Sequence, residues 1–392
     1  MKLFKCISHA LLLTTLLLQW SCKPDPSEEP VDAAIVLDSK VYSESPQHWT
    51  NHHANGVDYI IKGRLLFQIN ATLTIDPGTE IVFENDASLE MNTSSLKARG
   101  SLSEPILFRG SNSTKGFWKG IVLYGKTDHE LIYCTIQDAG GGTSTTVGAV
   151  VVGNALGDAG LSLEHCSISN SSSNGIVVSD ESTLNAFNDN IVTNCDYAAY
   201  VTANSLGQLA GTANTLTGNI HDQVKVKGDQ VRKPGLWPFL PVGFLFSGET
   251  QLENEVTIEP GAVLLFDSGA ELVLYQNNST SSKLFANGTP AKPIVFKGAN
   301  TTPGYWKGVR VDAGLARFTY CNFSDAGKSG TSPHTGNLYI TKALGNVDVT
   351  IQNCVVSNSS NHGICVRTNT LPSVTLSNNL FNAIAGDDQH NW

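Results

Sequence analysis

Residues 73–83 read LTIDPGTEIVF, and residues 256–266 read VTIEPGAVLLF. The chain therefore writes one segment twice. Around this pair the copying continues: GFWKGIVL at 116–123 returns as GYWKGVRV at 304–311, and EPILFRG at 104–110 returns as KPIVFKG at 292–298. Both are displaced by 188 residues (304 − 116 and 292 − 104), as are Trp49 and Trp237. A unit of roughly 190 residues used twice accounts for nearly the whole chain, and any function has to be compatible with that doubling.

The 392 residues are 41% apolar and only 15% charged. Abundant Gly, Asn, Ser and Thr make poor helix material and suit extended chain broken by turns. Net charge is −10, or −12 for residues 22–392 (23 basic against 35 acidic), once Lys2 and Lys5 are set aside. Such a surface repels phosphate backbones, which argues against nucleic acid as a partner. An anionic polysaccharide would need bridging cations or a local basic patch.

A finer beat runs inside each copy. Cys134-x-Ile136-x-Asp138, Cys166-x-Ile168-x-Asn170, Asn190-x-Val192-x-Asn194 and Asn214-x-Leu216-x-Gly218 share one pattern, the last three 24 residues apart. Cys321-x-Phe323-x-Asp325, Cys354-x-Val356-x-Asn358 and Asn378-x-Leu380-x-Asn382 repeat it. Strand side chains alternate between faces, so the first and third positions point inward together and the fifth begins a turn. Three short strands per lap, with laps about 4.8 Å apart and like side chains in ladders, fit this spacing. An asparagine at each turn can bond its amide to neighbouring laps. The longer steps, 134 to 166 and 321 to 354, leave room for inserted loops at 140–146 and 327–335. Val224 to Val231 reads as a closing strand leading straight into the next lap, which favours coaxial copies. A further lap like 214–218 would fall near residue 402, and either residues 389–392 or a partner is expected over the coil's end.

LTIDPG, GFWKGI and NTLTGN resemble the lead-in, middle and last laps of right-handed parallel β-helix proteins. The similarity is to the pectin-lyase-like superfamily, in particular the β-helix-repeat lipoproteins of bacterial cell surfaces, and runs from about Trp49 onward. It implies an all-β solenoid of two homologous halves, 45–230 and 231–392. That scaffold carries lyases, hydrolases, adhesins and inert stalks, so fold alone does not assign a function.

The N-terminus opens with Lys2 and Lys5, runs through apolar 10–18 and ends Gln19-Trp20-Ser21-Cys22, the pattern of a secretory leader. It resembles a bacterial lipoprotein signal covering 1–21, which implies lipidation of Cys22. Gln19 and Trp20 stand where that motif usually has aliphatic and small residues. The following KPDPSEEP begins an acidic, Pro-rich tether, 22–44, similar to that of lipoproteins displayed outside the outer membrane. The expected membrane contact is the lipid alone.

Several side chains invite chemistry. Trp118-Lys119 and Trp306-Lys307 offer an aromatic face beside a cation, suited to a sugar ring, although glycines 116 and 120 equally suit an indole packed at a coil corner. Asp138 and Asp325 open the inserted loops, where calcium binding or acid chemistry competes with a place in the turn ladder. His48, His52 and His53 crowd a stretch that reads as loop, and no metal is assigned to them. The matched cysteines read as a stacked apolar ladder rather than disulfides or nucleophiles. Polygalacturonase-type hydrolases carry an Asp-Asp pair and a downstream His-Gly. Here Asn361-His362-Gly363 precedes Gly386-Asp387-Asp388, in reverse order and with the acids in the terminal residues, so no catalytic set is assigned.

The expectation is therefore a non-catalytic, surface-exposed module that contacts glycan or another surface protein through its parallel face and paired loops. Polysaccharide lyase or hydrolase and passive spacer are the alternatives.

Overall fold

The computed structural model describes residues 33–392 except 54–55, 143, 145, 154–155, 180, 277–281 and 329–333. The leader and Cys22 lie outside the described residues. Among the described residues forty strands form five sheets, every neighbouring pair parallel, with short 3-10 turns at Ala203–Leu209 and Thr368–Ser373. The fold is the expected all-β parallel β-helix.

One lap shows how the sequence builds it. Ile106–Gly110, Gly120–Tyr124 and Asp128–Ile132 make three sides, and Cys134–Gln137 returns above the first with Cys134 over Ile106. Ile106, Phe108, Ile121, Leu123 and Leu131 are fully buried inside the coil, as the alternating pattern requires. Corners are made by residues with positive φ on both sides of one strand per lap: Tyr133 and Asp138, His165 and Asn170, Asp189 and Asn194. Asp and Asn tolerate that backbone best, which accounts for their recurrence at the fifth position.

The predicted column is present. Register places Cys134, Cys166, Asn190 and Asn214 over one another. Asn190 Oδ1 accepts the Cys166 amide at 3.0 Å, and Asn214 Oδ1 accepts that of Asn190 at 3.0 Å. The turn ladder is present too: Asn194 Nδ2 donates to Asn170 Oδ1 at 3.2 Å, and Asn170 Nδ2 to Asp138 Oδ1 at 2.6 Å. In the second copy the last rung lies one residue later than the pattern suggested. Cys354 stacks on Asn379, whose Oδ1 accepts its amide at 3.0 Å, so Asn379, Phe381 and Ala383 replace Asn378, Leu380 and Asn382. The corner holding the turn Thr368–Ser373 lies within this 25-residue lap.

Two boundaries move. Ile35–Leu37 and Lys40–Ser43, inside the stretch assigned to the tether, pair with Tyr59–Ile61 and Arg64–Gln68 and belong to the coil. Gln47–Trp49 and Gly235–Trp237 are equivalent, so the strand before each unit's first corner falls at Ile35 and within His221–Lys227. The copies thus start near 35 and 221, ten residues before 45 and 231.

The copies are coaxial. Strand His221–Lys227 pairs with Tyr197–Thr202 on one side and Gly243–Ser247 on the other, carrying a fourteen-stranded sheet through both copies. At the junction the turn Ala203–Leu209 stands in for a third strand and buries Leu206 and Leu209. Across it the copies are out of phase. Ile106–Gly110 lies in a seven-stranded sheet of the first copy, whereas its equivalent Ile294–Gly298 lies in the fourteen-stranded sheet, beside which the first copy places Gly120–Tyr124. The second unit is rotated by one face about the coil axis.

Candidate functional site

Trp118 and Trp306 are fully buried and cannot meet a sugar. Their rings stack on Phe83 and Phe266 at 3.9 and 4.0 Å, and their Nε1 groups donate to the Gln137 and Ser324 carbonyls at 2.7 and 2.8 Å. This corrects the platform reading: the close glycines mark a packed corner. Lys119 is exposed, and Lys307 lies 3.8 Å from Glu271. Asp138 and Asp325 are buried corner acceptors, bonded by Asn170 and Asn358 at 2.6 and 2.7 Å. The same two amides reach the Ser113 and Thr301 carbonyls at 2.7 Å each, stapling the corner. Asp138 borders an open hollow of about 530 Å³ with Arg109 and Ser113. Among the described residues neither aspartate belongs to a group of three His, Cys, Asp or Glu side chains.

The N-terminal histidines do not converge: His48 Nε2 lies 2.7 Å from Asp76, and the His52 ring contacts the Thr50 carbonyl. All six described cysteines are buried free thiols. Burial pushes Cys134 and Cys321 well above the usual thiol range, and Cys365 up to about 12, which leaves them protonated and inert.

The structure instead brings polar groups together on the outer face of the second copy's seven-stranded sheet. Register sets Val273, Arg310, Tyr339, Cys365 and His390 in one outward row on successive laps. A hollow of about 320 Å³ opens there, lined by Glu271, Arg310, Lys328, His334, Tyr339 and Trp392 among others. Arg310 is its hub, with Glu271 at 3.1 Å, Asp312 at 2.5 Å and Glu249 at 3.6 Å. Burial works against its charge, but Glu271 and Asp312 outweigh that and hold the guanidinium above its ordinary value. At Glu271 burial wins instead: the carboxyl is pushed up despite Arg310 and Lys307.

The first copy is an internal control. Where the second has Glu271, Arg310, Asp312, Tyr339 and His362, the same register positions hold Ser88, Val122, Tyr124, Val151 and Asn174. The two copies share the scaffold positions, with their Trp, Cys and Asp, and differ on this outward face, which is charged in the second. The first copy's own loop bounds a smaller hollow, about 250 Å³, lined by Ser144, Asn174, Asp196, Tyr197 and Lys225. Lys225 Nζ stands 5.3 Å from the Tyr197 ring centroid and 5.9 Å from that of Tyr200. An aromatic ring beside a cation therefore occurs under the first loop, and the hollow under the second is lined by Trp392 and Tyr339 together with Lys328 and Arg310, residues other than the two Trp-Lys pairs.

Beside the larger hollow, His362, Asp387 and His390 bring their ligand atoms within 4.8 Å of one another. His390 Nδ1 lies 2.8 Å and His362 Nδ1 3.5 Å from Asp387 Oδ2, and the two imidazoles stack at 3.9 Å. His334 Nδ1 lies 3.2 Å from His390 Nε2, and its ring stacks on Trp392 at 4.9 Å. Asp387, although among the terminal residues, is held in place because Gln389–Asn391 pairs with His362–Val366. Burial first, then the neighbouring His390, lowers the His362 pKa. Sequence reasoning missed His334, His390 and Trp392; the usable signal was that these histidines have no counterpart in the first copy.

No known protein family, curated protein or solved structure matches this chain.

Proposed function

We propose that the protein is a non-catalytic glycan-binding module of the pectin-lyase-like, β-helix-repeat lipoprotein type, exported and held at the outer-membrane surface through a lipid on Cys22. The observation that carries the binding reading is the pair of hollows under equivalent loops, each with an aromatic ring and a cation: Tyr197 with Lys225, and Trp392 with Lys328. Aromatic faces take the apolar side of a sugar ring, and fixed polar groups take its hydroxyls. Arg310, Glu271 and Asp312, with Lys307 3.8 Å from Glu271, supply such groups as a mutually paired network, which suits a neutral saccharide. The leader-like N-terminus supports the anchored location, with the tether holding the coil off the bilayer.

One observation favours the hydrolase alternative: Glu271, with its raised pKa, neighbours Asp312 in a hollow. Against it, both carboxylates are bound by the same guanidinium, which occupies the space a scissile bond would need.

A glycan array probed with the lipid-free ectodomain, alongside reducing-end and unsaturated-product assays, tests the proposal. Saturable binding without turnover, reduced by Tyr197→Ala and by Trp392→Ala, is the expected result. Turnover of a bound glycan, or binding untouched in the double variant, would overturn it.

A further inference from the structure

We infer that His362, His390 and Asp387 form a binding site for a divalent transition-metal ion of the zinc class. The three come from two laps: His362 opens one strand, and Asp387 and His390 flank the start of the strand stacked on it. Two imidazole nitrogens and one carboxylate oxygen are a borderline N/O set, which selects zinc, nickel or copper over calcium, whose ligands are oxygens. Three protein donors leave a fourth position open to water or a ligand.

The hydrogen bonding prepares the donors. The Asp387 amide donates to His362 Nδ1 at 3.0 Å, so that nitrogen carries a lone pair and its ring is oriented towards the carboxylate. If the contact between His390 Nε2 and His334 Nδ1 holds the His390 proton on Nε2, the Nδ1 lone pair faces Asp387 Oδ2. The donors are gathered without yet being aimed at one point, since the two imidazoles stack at 3.9 Å with their planes 10° apart and their in-plane lone pairs side by side. Without metal, the Asp387 amide satisfies His362 Nδ1 and a proton shared by His390 Nδ1 and Asp387 Oδ2 satisfies their 2.8 Å contact; a metal ion would replace both with bonds to all three donors. Tetrahedral zinc with bonds of about 2.0–2.1 Å needs its ligand atoms about 3.3 Å apart. Two separations are already near this, 2.8 and 3.5 Å to Asp387 Oδ2, and the remaining one, between the imidazole nitrogens and within 4.8 Å, closes when one ring turns out of the stack. The ion takes the lone pair now shared with the Asp387 amide, which turns to water at this exposed edge. His334 remains as the outer partner that fixes the His390 tautomer.

The first copy supports a specific origin for the site. At these register positions it has Asn174, Tyr197 and Tyr200, none of them a ligand for such an ion, so all three donors are peculiar to the second copy. Bound metal would tie Asp387 and His390 to the lap beneath and fix Trp392 at the edge of the hollow.

The test is calorimetric titration of ZnCl2 into chelator-stripped ectodomain without a polyhistidine tag, with CaCl2 in parallel and a cobalt(II) absorption spectrum as a report on ligand geometry. One saturable zinc site, a zinc-dependent rise in Tm, a tetrahedral cobalt band and no calcium response are expected. His390→Ala and Asp387→Asn should each weaken zinc binding by about tenfold or more. Asp387→Asn preserves side-chain shape and decides the matter if His390→Ala fails to fold, judged by its metal-free Tm. Absence of saturable zinc binding, or binding equally tight in the folded variants, would overturn the site.

Discussion

The Asn190 side chain sits directly over Cys166, its Oδ1 accepting the Cys166 amide at 3.0 Å while its Nδ2 donates to the Leu163 carbonyl at 2.8 Å. The Cys166 amide lies at the corner and the Leu163 carbonyl near the end of strand Gly160–Glu164, so the buried asparagine completes the backbone's own hydrogen bonding there. Asn190→Leu keeps the volume and strands both groups. The expected loss is about 2–5 kcal/mol in urea unfolding, and a variant as stable as the parent would show that water fills the role.

Trp306 is a pillar rather than a platform. Trp306→Ala should lower stability by about 3–5 kcal/mol through lost packing on Phe266. Lys328→Ala, at the exposed rim of the hollow, should leave Tm unchanged and weaken glycan binding. The reverse pattern in paired thermal and binding measurements would restore the platform reading.

His129 is fully buried, with its Nδ1 accepting the Leu96 amide at 3.2 Å, and burial lowers its pKa from 6.5 to about 4. The unfolded chain therefore binds the proton more tightly than the fold does. Stability is full above pH 6.5 and falls as pH drops towards 4, by roughly 3 kcal/mol over that window. His129→Gln should flatten this part of the pH–stability curve. An unchanged slope would assign the acid sensitivity elsewhere.

Glu271 has the opposite sign. Its folded pKa is raised above the ordinary 4.5 by burial, so the fold binds this proton more tightly, and stability declines as pH rises through and above that value. Glu271→Gln should remove that decline while leaving Asp312 and Glu249 on Arg310. Arg310→Leu, by contrast, takes the cation from buried Asp312 and leaves Glu271 only Lys307 at 3.8 Å, and should lose about 3–5 kcal/mol at neutral pH. Denaturant midpoints of the two variants from pH 4 to 8 separate these effects.

The architecture was legible because it is written in spacing. The column Cys166, Asn190, Asn214 follows from a 24-residue beat, and inward alternation does the rest. Where a corner took in an extra residue, as before Asn379, spacing misled by one position, since turn length is set by local backbone and not by the inward pattern. The start of the coil was missed because Ile35–Leu37 and Lys40–Ser43 are short and mostly exposed, and resemble the polar chain before them. The candidate site was least legible. Trp118 and Trp306 advertised themselves by repetition, yet repetition marks what the scaffold needs. Arg310, His362 and His390 belong to one copy only, and their convergence depends on which side of the coil each strand faces.

The phase slip between the two copies has a geometric outcome for any ligand. Had the units been stacked in step, both loop-shaded hollows would open along a single side, and one straight polymer could lie across them. Offset by one side of the prism, they look out in different directions, so a chain filling both must wind around the shaft, and two separate ligands would be held apart on diverging bearings.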